Sequence, residues 1–389
     1  MNELTNAVPT RFLIGQLARY GDCLYATTIA KQIKKDHPGS HITWAIATNF
    51  RSILVNNPFI DEVWEVPIND GDYYARNWDA FKQLALQRKQ AGDFDQIIFS
   101  QVNPDNFIHY TGTIRGTILD SYKKNITVPV SPVLILSDSE VQQVKQFADE
   151  HQLNKYEHVI LFECNPGSGQ SAVNIEFAMK VAKSILNEYN NTCFILTSQH
   201  NDPGNDPRIV NAASLSFREN AELTKYCTLF VGCSSGITWL ATSEWAKQLP
   251  MLQLFSKKPS IYAGVHHDFA INGLNNEHII EIADDAAAHA AKVLTAMMNN
   301  DLQQVKKQYH QNNIPKYRDF KKIVEQLVKQ SHDFRAVMNF AKQYNARSSK
   351  DGAPLNINFS SFAIQLRLTQ LNRALMNIVN PIKRKFKSK

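Results

Sequence analysis

Three short stretches of the 389-residue chain carry residue types whose spacing can do chemistry. In the first, GQLARYGD at residues 15–22, two glycines six apart bracket a loop that ends on Asp22. Asp22 stands between an apolar run and a helical pattern, where backbone N–H groups and the helix dipole favour an ionised carboxylate. At a cleft, such a group can take a proton from an attacking hydroxyl; the same position also suits a carboxylate that merely caps the helix. The glycine spacing is not that of GxGxxG, no acid stands where a ribose ligand would, and GxxxxGK[ST] does not occur. A dinucleotide oxidoreductase and a P-loop ATPase are therefore disfavoured.

The other two stretches are NPGSGQS at 165–171 and GCSSG at 232–236, both read as strand-to-helix turns. Successive N–H groups, hydroxyls and a helix N-terminus there can hold a diphosphate without a metal. Tight αβ turns are also rich in Gly and Ser for steric reasons alone. Gly232, Ser234 and Gly236 fit a G-x-S-x-G nucleophile elbow, but a hydrolase would need a later Asp and His on one long sheet, hard to place before a helical C-terminal region. His266, His267 and Asp268 are adjacent without further ligands spaced to join them, so a solvated or interface role is expected and no metal site.

The elements that position these stretches alternate. RFLIGQL (11–17), HITWAIA (41–47), EVWEVPI (62–68) and the run around Ile97–Phe99 read as strands, separated by helical patterns at 24–38 and around 78–89. The polar run Asn103–Thr117 reads as a loop and acceptor-site wall, and 138–151 as a helix. The grammar then repeats: strands at 158–164, 192–198, 228–232 and 250–256, with helices at 174–189 and 216–227, the latter opened by a capping box of Ser216 and Glu219. Successive βαβ units of this kind write parallel sheets, with ligands at strand C-terminal ends. From about residue 284 only helical patterns follow.

The charge is localised. Of 42 basic and 36 acidic residues, 352–389 holds seven basic and none acidic, leaving the body near neutral. This excludes a general nucleic-acid-binding face and suits a tail that meets an anionic membrane surface. Within 359–389, Ile364, Leu368, Leu371, Leu375, Ile378 and Ile382 form a helical apolar stripe, which equally suits packing on the body or on a partner. Five scattered cysteines without a CxxC pair suit reduced, buried thiols in a cytoplasmic protein, and neither a signal peptide nor a spanning run is expected.

The N-terminal run from Arg11 to Val66, with its strand, Gly21–Asp22 pair, helix, Pro-Gly turn and NPFIDEV phrase, resembles the bacterial heptosyltransferase-like glycosyltransferases of family 9. NPGSG, FILTS, SFRENAEL and LFVGCSSGITWLA continue the resemblance to about residue 260. It implies an α/β glycosyltransferase-B type fold: two Rossmann-like domains with a helical C-terminal extension. The expected boundaries are 1–150 for the acceptor domain, 151–295 for the nucleotide-sugar domain, 296–344 for the helical extension, 345–358 for a linker and 359–389 for the basic amphipathic tail.

The resemblance further implies an inverting, metal-independent transferase needing no cofactor. Asp22 would be the base, with Arg19, Tyr20 and Asn49 on the acceptor side. Gly167, Ser168, Glu219, Ser234, Ser235, Gly236 and Thr238 would bind a nucleotide-sugar donor. The acceptor would be a glycan or glycolipid of the lipopolysaccharide type at the cytoplasmic face of the inner membrane. Ser234 and Trp239 stand where the family phrase usually has Asp and His, and the usual Lys-x-Trp after the phosphate loop is missing. ADP-heptose is thus an insecure donor, and a nucleotide-sugar epimerase or hydrolase, or a non-catalytic binding protein, remains an alternative.

Overall fold

The computed structural model describes residues 9–68, 74–198, 206–258, 260–314, 317–329, 333–350 and 354–387. The chain begins β1 (Arg11–Gly15), α1 (Tyr20–Asp36), β2 (His41–Ala47), a short 3-10 segment (Thr48–Leu54), β3 (Glu62–Val66), α2 (Tyr74–Gln90) and β4 (Gln96–Phe99). These strands form one parallel sheet in the order β3-β2-β1-β4, with Phe12 in register with both Ile42 and Gln96. The order reverses direction at β1. The loop leaving β1, which runs into α1 with Asp22 in its first turn, therefore opens at the switch point where ligands bind in such sheets.

After α3 (Ile114–Asp120) and α4 (Asp138–Glu150), a second unit follows: β5 (His158–Phe162), α5 (Ile175–Leu186), β6 (Thr192–Leu196), β7 (Ile209–Asn211), α6 (Glu219–Leu223), β8 (Leu229–Gly232), α7 (Gly236–Leu240), β9 (Met251–Phe255), α8 (Val265–Ile271) and β10 (Ile279–Ala283). Its sheet is parallel, in the order β10-β9-β8-β5-β6-β7, so the switch point lies between β5 and β8. The NPGSG and GCSSG turns leave these two strands and meet there. Every residue of β6 is buried, the continuous apolar pattern required when helices cover both faces of a sheet. On α5, Ala178, Val181, Ala182, Ile185 and Leu186 supply the i, i+3, i+4 face turned to that core.

The C-terminal helices divide between the two cores instead of forming one extension. α9 (Ala287–Asn299) and α10 (Leu302–Tyr309) stay with the second unit, where Leu294 and Val305 are buried. α11 (Tyr317–Lys329) and α12 (Phe334–Lys350) return to the first, placing Phe320, Ile323, Leu327, Phe340 and Tyr344 in one cluster with Phe107, Tyr110 and Ile118. α13 (Phe359–Lys387) closes that cluster with Phe362 and Leu366, 4% and 2% exposed.

Four expectations change. Residues 345–350 belong to α12 and not to a linker: the buried Tyr344 anchors the preceding turn, and the polar residues after it form a solvated face. The run 103–117 is not all loop, because α3 begins at Ile114 behind an N-cap in which the Thr113 hydroxyl accepts from Gly116 N. The helix expected over 216–227 is α6 followed by a 3-10 turn at Thr224–Tyr226, and two further strands, β7 and β10, form the edges of the second sheet. The tail is not wholly separate either, since its first turns are core of the first unit.

Candidate active site

A cleft of about 650 Å³ lies between the two sheets' switch points. Its first wall is the loop between β1 and α1. Gln101 Oε1 accepts from Leu17 N (3.0 Å), Ala18 N (3.1 Å) and Gln16 Nε2 (3.0 Å), while Trp44 Nε1 donates to Gln16 O (3.1 Å). A side chain from beyond β4 thus satisfies backbone that the turn leaves bare, and fixes the start of α1. No local pattern marks Gln101 for this task.

Asp22 lies in the first turn of α1, half-buried and lining the cleft. It does not cap the helix: Arg19 occupies the N-cap position and no side chain bonds there. With no hydrogen bond from a described residue to hold the charged form, burial pushes its carboxyl up to about 7, and the nearby Arg19 charge pulls only partly back. Burial thus opposes the ionised form that the start of a helix favours.

Arg19 and Tyr20 line the cleft and Asn49 does not. Tyr20 stacks on Phe217 of the second unit at 4.3 Å and meets Phe50 edge-on at 4.8 Å, while its hydroxyl donates to Asn49 O at 3.1 Å. Asn49 therefore holds Tyr20 through its backbone carbonyl. Gly21 is required by its neighbour: a β-carbon there would approach Trp239 Cδ1 to 2.8 Å.

The opposite wall carries Gly167, Ser168, Ser234, Ser235 and Gly236. Glu163, at the end of β5, organises it. Its carboxylate accepts from Cys233 N (2.8 Å), Ile237 N (3.1 Å) and the Thr238 hydroxyl (2.7 Å). Ser234 N donates to Gln253 Oε1 (3.0 Å), and Gly167 N to Ser235 Oγ (2.9 Å), which ties the two turns together. Ser168 Oγ donates to Cys233 O at 3.3 Å. Burial raises the Glu163 pKa, opposed by these hydrogen bonds. No sequence motif points to Glu163, Gln170 or Gln253.

Two of the expected nucleotide-sugar residues stand back from the cleft. Thr238 is fully buried behind the turn, and Glu219 does not line the cavity. Glu219 Oε2 accepts from Ser216 N at 2.5 Å while its own N–H donates to Ser216 Oγ at 3.3 Å, the reciprocal pair of a capping box. Ser234 has φ of 50°, the left-handed geometry that turns strand into helix, and its hydroxyl donates to Gln170 Oε1 at 3.0 Å. An amide oxygen cannot take its proton, so the elbow pattern here lacks a nucleophile's base.

Behind Asp22, Tyr25 separates it from a buried pair. Arg115 of α3 lies 3.3 Å from Asp268 of α8, with its guanidinium among the rings of Tyr25 (4.6 Å), Phe269 (5.0 Å) and Trp239 (5.3 Å). Asp268 lines the cleft, and burial raises its pKa against the pull of Arg115. His266 packs on His310 at 4.3 Å, and burial foremost lowers its pKa to about 4. Among the described residues no three His, Cys, Asp or Glu side chains are grouped to hold a metal ion.

Two parallel αβ units facing each other across a cleft at their strand C-terminal ends define an α/β protein of glycosyltransferase-B type. No family model and no curated protein matches the chain. Among solved structures it is similar to the glycosyl transferase family 9 protein from Veillonella parvula DSM 2008, at 14% identity and a TM-score of 0.53 over 75% of this chain and 90% of that one. It is also similar to E. coli ADP-heptose LPS heptosyltransferase II, at 14% identity and a TM-score of 0.50 over 74% and 98% of the two chains. At these identities the likeness establishes a shared fold, the one implied by the N-terminal signature.

Proposed function

We propose that the chain is an inverting, metal-independent glycosyltransferase that moves a hexosyl or heptosyl group from a nucleotide-sugar to a hydroxyl of a bacterial cell-surface glycan or glycolipid, of the lipopolysaccharide type. The observation that carries this reading is Asp22: a carboxyl without a hydrogen-bond partner among the described residues, poised near pH 7, facing two Gly/Ser turns across a cleft. A base of that pKa matches proton removal at neutral pH. The acceptor oxygen would bond to the anomeric carbon as the carbon–oxygen bond to the diphosphate breaks. The hydroxyl proton would pass to Asp22, and the nucleoside diphosphate would leave with the electron pair.

The E. coli neighbour is named for ADP-heptose. In this chain Ser234 and Trp239 occupy the places of the family's Asp and His, and both are engaged: Ser234 with Gln170, Trp239 against Gly21. That supports a different sugar nucleotide. The hydrolase alternative is weakened by the Ser234–Gln170 bond, and the epimerase alternative is separated by whether turnover needs an acceptor. We further propose that the protein works at the cytoplasmic membrane face through α13. On this helix Ile364, Leu368, Leu371 and Leu375 are 55–62% exposed, opposite the anchored Phe362 and Leu366. Among the described residues no helix is long and apolar enough to cross a membrane.

The deciding experiment offers the protein a panel of sugar nucleotides with extracted glycolipid acceptors, reading nucleotide release together with glycosylated product. Acceptor-dependent release with inversion at the anomeric carbon is expected. Release or epimerisation without need of an acceptor would replace the transferase reading.

A further inference from the structure

The charges around the cleft are unbalanced for a diphosphate. Among the described residues that line it, Arg19 is the single cation, against the three carboxyl groups of Asp22, Glu163 and Asp268. The segment after the NPGSG turn brings no cation either: residues 171–174 read Ser, Ala, Val and Asn. Lys257, on the strand-end loop after β9, pairs instead with Asp284 at 2.9 Å.

The backbone N–H groups that should compensate are largely committed. In the GCSSG turn, those of Cys233 and Ile237 donate to Glu163, and that of Ser234 donates to Gln253. In the NPGSG turn, Gly167 N donates to Ser235 Oγ and Gln170 N to Ser168 Oγ. The start of α7 thus already faces an internal carboxylate, in the position where a bound anion would be stabilised. The two turns retain N–H groups at Ser168, Gly169, Ser235 and Gly236 to shape a phosphate site, but no full positive charge. A departing nucleoside diphosphate gains negative charge as the sugar leaves, which calls for a cation placed beforehand.

Arg19 meets that need from the other domain. It is exposed within the cleft, at the N-cap of α1, three residues before Asp22. A guanidinium binds phosphate oxygens in a two-pronged geometry, and its charge does not depend on pH. We infer that Arg19 binds the diphosphate of the sugar nucleotide and stabilises it as leaving group. This inference rests on the sugar-nucleotide reading above, and it moves Arg19 from the acceptor side to the diphosphate. The start of α1 then carries both the base and the cation for the leaving group.

Calorimetric titration of the full chain tests it, using adenosine, uridine, guanosine and cytidine with their diphosphates, on wild type, Arg19→Gln and Arg19→Lys. For the base that wild type prefers, the diphosphate should bind more tightly than the nucleoside. Arg19→Gln should lose at least about 10-fold of the diphosphate affinity with nucleoside affinity unchanged, and Arg19→Lys should retain part of it, as a point charge replaces a fork. Unchanged diphosphate affinity in Arg19→Gln overturns the inference and leaves the sugar-nucleotide reading standing, as does an equal loss for nucleoside and diphosphate. A wild type that binds no nucleoside diphosphate overturns both. A second readout is the pH profile of transfer. The charged and titratable groups around Asp22 are Arg19 on its loop, Cys23 and Tyr25 on α1, and the Arg115–Asp268 pair beyond Tyr25. Removing the Arg19 charge should shift the acid limb upward, whereas Arg19→Lys should leave it near its wild-type position.

Discussion

Arg115 and Asp268 face each other at 3.3 Å across the junction of the two αβ units, both almost wholly buried at 1% and 4% exposure. Three Arg115 nitrogens and Asp268 Oδ2 find no hydrogen-bond partner among the described residues. The pair is thus held by charge and by the aromatic rings around the guanidinium more than by directed hydrogen bonds. Removing either partner strands a buried charge, at a cost of about 3–5 kcal/mol. Arg115→Met and Asp268→Asn should each lower stability by amounts of that order, and the double variant by clearly less than their sum. A denaturation double-mutant cycle measures this, and strict additivity would show that the two side chains do not interact.

Asp22→Asn should lower transfer about 100-fold or more, roughly 3 kcal/mol of barrier, with nucleoside diphosphate affinity preserved. Comparable turnover by the variant at saturating substrates would remove Asp22 from the base role.

The same carboxyl predicts how rate and stability respond to pH. Its folded pKa, about 7, lies above the ordinary value of 3.8, so the folded state holds a proton that the unfolded chain has already lost in between. Asp22 therefore costs nothing below pH 4, destabilises increasingly up to about pH 7, and carries its full penalty above that. After allowance for solvent screening at this half-buried site, the penalty is roughly 2 kcal/mol. Asp22→Asn should melt higher than wild type at pH 8, with the gap closing toward pH 4. The transfer rate should rise with pH through a limb near 7. A flat rate profile between pH 5.5 and 8.5, by stopped assay, would contradict both the pKa and the role.

Glu163→Gln should loosen the GCSSG turn. The carboxylate accepts from Cys233 N, Ile237 N and the Thr238 hydroxyl, and an amide offers one of its two positions as N–H, facing a donor. A loss of about 1–3 kcal/mol in stability follows from leaving a buried donor unmet. Faster hydrogen exchange confined to residues 233–238 would locate the effect, and unaltered exchange there would refute it.

Replacing Leu368, Leu371 and Leu375 together by Gln should weaken flotation with phosphatidylglycerol-containing vesicles by about 10-fold or more, while leaving folding and transfer to a short soluble acceptor intact. These side chains are exposed, whereas deleting 359–389 would also remove Phe362 and Leu366 from the core. Undiminished flotation would discount the membrane contact, and loss of an oligomer in sedimentation would identify a second copy as what covers the stripe.

Much of the architecture is local information. An apolar run too short for a helix, then a Gly-containing turn, then a helical period can be read from neighbours in sequence, and so the strands that lead to Asp22, NPGSG and GCSSG, and the capping pair Ser216–Glu219, were legible. The alternation also dictates parallel sheets, whose strand C-terminal ends bear the ligand loops. What the chain order cannot express is which buried groups satisfy one another across long separations. Gln101 reaches back to Leu17 and Ala18, Glu163 takes the N–H groups of the turn around residue 233, and Arg115 finds Asp268 across the domain junction. Those contacts decided that Asp22 is desolvated instead of capping its helix, that Glu219 and Thr238 support the cleft from behind, and that most N–H groups of one turn are already spent. Periodicity records which face of an element is buried; only packing chooses what it is buried against, and a carboxylate's charge state follows from that choice.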